Sequence, residues 1–354
     1  SGNFVFRKTG TGATTVLGIG ANNINVSIGS TSGGNFTGIS VVGASLGLVV
    51  YNDGYALQIN GGVDALVGIP DLTVMASGLQ VMAITTAQTV QNYQITIPGS
   101  DTPITLNFTQ GAPFFEALGH ITLGVANLGS ISGDFGVQKV SDGGTGSYLA
   151  LGVNNVNVVL GTSDTNFTIA GASLGILIHT VGGTTTYAMV TSGGTDTLNG
   201  VPGLTFTGSL SLLFNNGVDT TAANIPTTVQ TASGAVSLDF SSLGTGAHGM
   251  SIQGTANLDI AGFFTINNGS FIIQKSSVGT TTKILIAIAV PSATMGSAAF
   301  GLQFTDVQFG LVIYRDPAAS GSTYALTASI GAVTVNGLPS GTTLSGSASL
   351  MINT

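Results

Sequence analysis

The chain has 354 residues, only 6% of them charged, and 14 acidic against six basic side chains leave a formal net charge of −8. Apart from Arg7-Lys8 the cations are scattered, which argues against nucleic acid as a partner, and the absence of Cys removes disulfides, zinc thiolates and thiol nucleophiles. No apolar run approaches the ~18 residues of a spanning helix, and a chain with no Trp and seven Tyr is poorly supplied for the aromatic girdles of an outer-membrane barrel, so no membrane insertion is expected.

Neutral polar side chains and 54 Gly, about twice the ordinary frequency, must cover the surface instead. With little like-charge repulsion between molecules, side-by-side packing is easy.

The first element, Ser1-Gly2-Asn3-Phe4-Val5-Phe6-Arg7-Lys8, reads as a strand and returns twice, as Ser132-Gly133-Asp134-Phe135-Gly136-Val137-Gln138-Lys139 and Gly269-Ser270-Phe271-Ile272-Ile273-Gln274-Lys275. The closing lysines, at 8, 139 and 275, stand 131 and 136 residues apart. A second landmark, Gly68-Ile69-Pro70, Gly200-Val201-Pro202 and Gly337-Leu338-Pro339, gives 132 and 137 for its prolines. The chain is a tandem array, in which each unit usually repeats a structural job. Three repeats are expected, 1–131, 132–266 and an incomplete 267–354.

Further along, Ile24-Asn25-Val26-Ser27-Ile28 and its later counterpart in style, Leu204 to Leu212, alternate apolar and small polar residues with the period of a strand. Three equivalent strands follow the same pattern: Ser45 to Tyr51, Ser173 to His179 and Gln308 to Tyr314. Each leads to a second strand, opening at Tyr55-Ala56-Leu57, Tyr187-Ala188-Met189 or Tyr324-Ala325-Leu326. The intervening loops of three, seven and nine residues predict antiparallel hairpins with variable, exposed tips. Gly47, Gly175 and Gly310 recur inside the first strands, which points to close approach of another backbone or side chain on that face. Asp53-Gly54, Asn60-Gly61, Asn199-Gly200, Asn216-Gly217 and Asn336-Gly337 read as tight turns.

No flexible linker divides the repeats. The joints at Gly124-Val125-Ala126-Asn127-Leu128 and Gly254-Thr255-Ala256-Asn257-Leu258 are strand-like, predicting a continuous structure. The third repeat stops just after Ser349-Leu350-Met351-Ile352, where the second runs on from Phe214, and the chain opens on Ser rather than Met. A piece of a longer protein is therefore expected, with a repeat interface or strand edge left at its C-terminal end.

Residues able to carry chemistry are few. His179 occupies the place of Tyr51 and Tyr314 and reads as an amphipathic strand residue; the joint alignment sets His120 opposite Met250, and His248 gains no repeated partner. Glu116 and His120 would share a face if helical, yet Ala112 to Ala117 reads as an irregular loop, and two ligands are too few for a closed metal site. Gly43-Ala44-Ser45-Leu46-Gly47 and Gly171-Ala172-Ser173-Leu174-Gly175 match the nucleophile-elbow spacing, but they lead into strands and read as strand openings. Asp53 and Asp316 sit on equivalent tips without the acidic company that calcium needs. Five sequons, at Asn25, Asn35, Asn107, Asn166 and Asn268, are too common a pattern in so polar a chain to signify glycosylation alone. No catalytic, cofactor-binding or metal-binding residue is assigned, and no enzyme activity is expected.

The phrases Gly133-Asp134-Phe135, Val153-Asn154-Asn155-Val156-Asn157-Val158, Leu174-Gly175-Ile176-Leu177-Ile178 and Gly200-Val201-Pro202-Gly203-Leu204-Thr205-Phe206-Thr207 resemble the repeats of very large secreted bacterial surface proteins, described as adhesin-like. The resemblance implies an extracellular, repetitive, non-catalytic protein and carries over no binding residue.

The expected fold is all-β, an elongated array of mostly antiparallel strands, solenoid-like or rolled-sheet-like, with successive β-sandwich modules as the alternative. The expected function is structural, a head-to-tail homopolymer building an extracellular fibre, filament or sheath. The alternative is an adhesin stalk or carbohydrate-binding module that presents its tips, Asn52-Asp53-Gly54, Thr180 to Thr186 and Arg315 to Thr323, to a cell-surface glycan.

Overall fold

The computed structural model describes residues 1–32, 35–67, 72–108, 114–125, 129–222, 224–241, 248–278, 281–297, 299–315, 322–339, 342 and 344–353. Among them there is no α-helix; one 3-10 turn at Gly12–Thr14 interrupts an otherwise all-β chain. The strands are open and antiparallel in successive hairpins, the rolled-sheet side of the expectation. A solenoid would stack its coils in parallel.

The chain forms two compact units, one made of Ser1–Val156, Leu177–Thr185 and Asn224–Leu238, the other of Asn157–Ile176, Thr186–Ala223 and Asp239–Thr354. The first repeat supplies β1 (Asn3–Thr9), β2 (Val16–Ser32), β3 (Asn35–Tyr51), β4 (Gly54–Asn60), β5 (Val63–Val67), β6 (Leu72–Ile84), β7 (Tyr93–Ile95), β8 (Ile104–Leu106) and β9 (Phe114–Val125). The second supplies β10 (Gly129–Ser141), β11 (Ser147–Gly161), β12 (Asn166–Val181), β13 (Thr184–Asn199), β14 (Leu204–Asn215), β15 (Thr228–Thr231), β16 (Gly234–Ser237) and β17 (His248–Ile260). The third supplies β18 (Phe264–Val278), β19 (Thr281–Gly296), β20 (Gly301–Arg315), β21 (Ser322–Asn336) and β22 (Ser345–Asn353).

In the first unit β1, β2 and β3 are antiparallel neighbours. Both β4 and β5 lie along β3, with Val49 opposite Ala56 and Ser40 opposite Ala65, and β6 returns along both. Asn60-Gly61 is thus not the hairpin turn its sequence predicts but a kink in one strand path. The reason is local: a β-carbon on Gly62 would collide with the Val42 carbonyl, so only glycine lets the backbones pass this closely. Beyond β6, β9 pairs with β6 on one side and β10 on the other. In this way the sheet crosses the first repeat boundary by ordinary pairing. The segment Ala112 to Ala117, expected as a loop, is strand from Phe114 onward; residues 112 and 113 lie outside the described residues, as do the Gly68-Ile69-Pro70 landmark and Ala126 to Leu128 of the first joint.

The chain between β6 and β9 folds back over the sheet as an insert carrying the small β7–β8 hairpin. Its Val90, Ile95, Leu106 and Phe108 close a core with Val49, Ala56, Ile84 and Phe114. Fully burying one such aliphatic side chain stabilises the fold by about 1.5–3 kcal/mol, so the insert is a structural lid rather than a free loop. Of the glycines predicted to mark a close approach, Gly47 does so, as does Gly20 opposite it on β2, whereas a β-carbon on Gly310 would meet only Thr327 Cγ2, at 3.3 Å. A β-carbon on Gly20 would lie 2.7 Å from Ile95 Cγ2, and one on Gly47 would lie 2.7 Å from Leu106 Cδ1. β15 and β16, which lie between β14 and β17 in the chain, pair as a second small hairpin that is itself part of the first unit. There Val229 and Val236 would stand 3.1 and 3.2 Å from a β-carbon on Gly152.

The two Gly-x-Ser-x-Gly matches fall within β3 and β12 rather than at their openings. Gly43 and Gly171 take φ of 77° and 72°, and each N–H donates to an asparagine side chain, Asn25 Oδ1 at 3.0 Å and Asn157 Oδ1 at 3.2 Å. In the first unit the β2–β3 register shifts at this point, beside Asn23 at φ 50°. The motif is a bulge, which bends a long strand where a left-handed glycine is available. No helix follows it, so no nucleophile elbow forms.

In the second unit β13, β14, β17, β18, β19, β20, β21 and β22 pair in that order. β17 stands between β14 and β18, as β9 stands between β6 and β10. Tyr187 stacks on Phe214 with ring centroids 5.4 Å apart. From β18 onward the apolar burial thins: Ala293 is the one buried hydrophobic residue there among the described residues, and every residue of β22 is exposed.

Candidate functional site and assembly surfaces

The tips are shorter than expected, because the strands run further out. β3 and β4 leave only Asn52 and Asp53 between them, and β12 and β13 leave only Gly182 and Gly183, at φ 58° and 79°. In the third, Arg315 pairs with Ser322, and Asp316 to Gly321 lie outside the described residues. Asp53 is engaged rather than open to a ligand. Its Oδ1 accepts from Thr86 Oγ1 at 2.6 Å and its Oδ2 from the Ala87 N–H at 3.2 Å, which ties the tip to the start of the first insert. The Thr86 bond, outweighing burial, holds this carboxyl below the usual range.

Two histidines of the first unit have aspartate partners. His120 on β9 places Nδ1 2.7 Å from Asp134 Oδ1 on β10, while Asp134 Oδ2 accepts from Asn155 Nδ2 at 2.9 Å. Burial works to raise the Asp134 carboxyl, and the bonds from Asn155 and His120 outweigh it. His120 Nε2 lies 3.4 Å from Thr122 Oγ1, an acid, imidazole and hydroxyl in sequence. Neither groove described below borders this row, which runs along the surface of adjacent strands. His179 sets Nε2 3.1 Å from Asp142 Oδ2 and stacks on Tyr148 with centroids 4.4 Å apart. Asp142 Oδ1 also accepts the Gly144 and Gly146 N–H groups, so one carboxylate organises the β10–β11 turn. Its carboxyl is held low by His179 first and these amides next. His248 opens β17, and its side chain lies outside the described set.

Glu116 and His120 are on β9, not a helix, and face different partners: Glu116 lies opposite Gln138 and His120 opposite Asp134. Burial pushes the Glu116 carboxyl up. Among the described residues no group of three or more His, Cys, Asp or Glu side chains could hold a metal, and no helix is long and apolar enough to cross a membrane. Of the sequons, Asn25 holds the Gly43 bulge, Asn107 accepts from the Asn92 N–H and Asn166 bonds with Asn199; the Asn268 backbone is left-handed. The Asn35 side chain lies outside the described set.

One acidic group in the second unit has no counterpart in the sequence reading. Asp196 on β13 is 3% exposed, its Oδ2 has no hydrogen-bond partner, and burial raises its carboxyl above the usual range. Its place in the third repeat, opposite the equivalent glycine of the next strand, is taken by Val333.

Among the described residues, two grooves with largely apolar borders bear on assembly. In the first unit a groove of about 270 Å³ is bordered by Tyr55, Phe114, Phe115, Lys139, Ser141 and Ser147 among others. In the second a wider one, about 470 Å³, lies over Gly310 and Val312 between Leu285 and Met351. β1 pairs with β2 and exposes Phe4 and Phe6 at 56% and 70%, and β22 pairs with β21 and exposes Leu350 and Met351.

No protein-family model, no curated protein and no solved structure matches the chain.

Proposed function

We propose that the protein is a structural, extracellular repeat protein whose sheet is continued by neighbouring chains to build a fibre, filament or sheath. One observation carries the reading: both repeat boundaries are made by ordinary antiparallel pairing, β9 with β10 and β17 with β18, with no linker between. A boundary made by backbone hydrogen bonds within a chain can be made by the same bonds between chains. The exposed apolar side chains of β1 and β22, Phe4, Phe6, Leu350 and Met351, and a chain with only 6% charged residues favour that association. The test is electron microscopy and sedimentation of the purified protein over a wide concentration range at neutral pH. End-to-end oligomers or fibres are expected, and monodisperse monomers at every concentration would sink the proposal.

A second reading, attachment to a cell-surface glycan, is favoured by the first-unit groove, where Tyr55 and Phe115 supply ring faces beside Lys139 and two serine hydroxyls. Glycan-array binding that vanishes in Tyr55→Ala and Phe115→Ala variants would support it.

A further inference from the structure

The lysines that mark the repeat have no part in the assembly reading. Lys8, Lys139 and Lys275 are half of the six cations in the chain, and each stands at the same place of its repeat, towards the end of β1, β10 or β18. A lysine on an edge strand guards it against wrong pairing. Yet β18 lies between β17 and β19, and β10 lies between β9 and β11, to which it turns at Asp142 to Gly146. Edge protection therefore does not explain Lys139 or Lys275. Nor does an ion pair: among the described residues the pairs are His120 with Asp134 and His179 with Asp142, and both lysines are exposed.

The surroundings of the two lysines are alike. In the first unit Lys139 is opposite Phe115, Phe115 opposite Ala83 and Ala83 opposite Leu57, with Tyr55 two places before Leu57. In the second unit Lys275 is opposite Met250, Met250 opposite Phe214 and Phe214 opposite Met189, with Tyr187 two places before Met189. Residues directly opposite across antiparallel strands share a face, as do residues two apart along one strand. Each unit thus presents a lysine at one end of an apolar row and a tyrosine at the other, three strand spacings or about 14 Å across. In the first unit this face is the reverse of the one that sends Ala56, Ile84 and Phe114 into the core. Tyr55 and Phe115 are each 39% exposed, and Tyr187 is 45% exposed. The second unit adds a cation on the same face: Arg315 is two places beyond Ile313, which shares a row with Ile284 and Lys275.

The chemistry of these rows selects a ligand. A half-open aromatic ring offers a flat apolar surface, serine hydroxyls donate and accept hydrogen bonds, and a lysine is a compact positive charge. In the first unit all three line one groove, as Tyr55 and Phe115, Ser141 and Ser147, and Lys139. A sugar ring has the matching parts, an apolar C–H face and an edge of hydroxyls, and a carboxylate on that ring supplies the charge that Lys139 lacks. Two acids at this margin are already engaged, Asp53 by Thr86 and Ala87, and Asp142 by His179, Gly144 and Gly146.

We infer that the lysine rows of the first and second units are two seats for a carboxylated polysaccharide, a polymer of the uronic acid class. In each seat the lysine takes a sugar carboxylate and the aromatic side chains take the ring faces; in the first, Ser141 and Ser147 bond the hydroxyls. One exposed charge contact is weak, and a polymer that presents the same carboxylate repeatedly raises its effective concentration at each seat. The inference rests on the attachment reading and adds the acid to it.

The test measures binding of the purified chain to immobilised polygalacturonate and alginate, to the same polymers with their carboxyls reduced to hydroxymethyl groups, and to polyglutamate. Binding to the two uronic acid polymers is expected, weakening as salt is added, with the reduced polymers and polyglutamate bound about tenfold more weakly. Lys139→Gln and Lys275→Gln should each weaken binding about threefold, and together about tenfold. Lys283→Gln, opposite Tyr314 and on the other face, should leave it unchanged. No binding to either uronic acid polymer, equally tight binding of polyglutamate, or an equal loss in Lys283→Gln overturns the seats. Reduced polymers bound as tightly as their parents, with binding lost in Tyr55→Ala and Phe115→Ala, would fail the acid and keep the attachment reading. A chain that binds no member of a glycan array would fail both.

Discussion

Gly47 and Leu106 meet so closely that a β-carbon on the glycine would lie 2.7 Å from the leucine Cδ1. The contact joins β3 to an insert more than fifty positions later in the chain, and it explains why a strand interior accepts a residue that costs it stability. Gly47→Val should destabilise the protein by about 1–3 kcal/mol through overpacking, read as a lower denaturation midpoint. Gly310→Val, at the matching place of the third repeat, should be neutral or stabilising. Equal losses for the two would mean that Gly310 is packed as closely as Gly47.

The clamp at Asp53 should control the first insert. With its carboxyl depressed by the Thr86 bond, the contribution is present above the ordinary carboxylate range and is lost as pH falls through the lower folded-state value. Asp53→Ala should raise hydrogen exchange in residues 85–108 at neutral pH, mimicking what acid does to the parent. Unchanged exchange there would show that the core contacts hold the insert unaided.

Asp196 titrates in the opposite sense. Burial raises its folded-state value, so the folded protein holds the proton longer than the unfolded chain, and stability falls as pH rises from the ordinary carboxylate range through the raised one. Asp196→Asn removes the buried charge. Its thermal midpoint should exceed the parent's at pH 7, and the downward slope between acidic and neutral pH should flatten. A variant less stable than the parent at pH 7 would show that Asp196 has a partner its buried oxygen lacks in this structure.

Asp142 and His179 give a further pH signature. The Asp142 carboxyl is depressed, first by His179, so the β10–β11 turn should loosen only as pH falls below the ordinary carboxylate range, as the pair is lost. His179→Tyr, which restores the residue of the other two repeats, should move that loosening to higher pH, measured by exchange at Gly144 and Gly146.

Much of this was legible in the sequence because it is periodic. The alternation at Leu204 to Leu212 is carried by β14, the equivalent Tyr55, Tyr187 and Tyr324 by β4, β13 and β21, and Gly47 by β3, as comparison of the repeats predicts. What stayed hidden depends on distance in the chain. Asp53 with Thr86 and Asp142 with His179 are 33 and 37 residues apart, and nothing in their neighbours announces the pairing. The small hairpins were missed for a related reason: residues 85–108 and 224–238 do not resemble each other in sequence, although each carries a hairpin with buried aliphatic side chains. Asn60-Gly61 misled because a kink and a hairpin turn use the same residues. The bulges at Gly43 and Gly171 likewise borrow a spacing that elsewhere marks a nucleophile.

The central claim is that neighbouring chains continue one another's sheet, as antiparallel pairing continues it across both repeat boundaries within the chain. Electron microscopy of the purified chain over a wide concentration range, with fibre diffraction of what assembles, tests it most directly. Filaments with strands stacked about 4.8 Å apart are predicted. Monodisperse monomers at every concentration would contradict it.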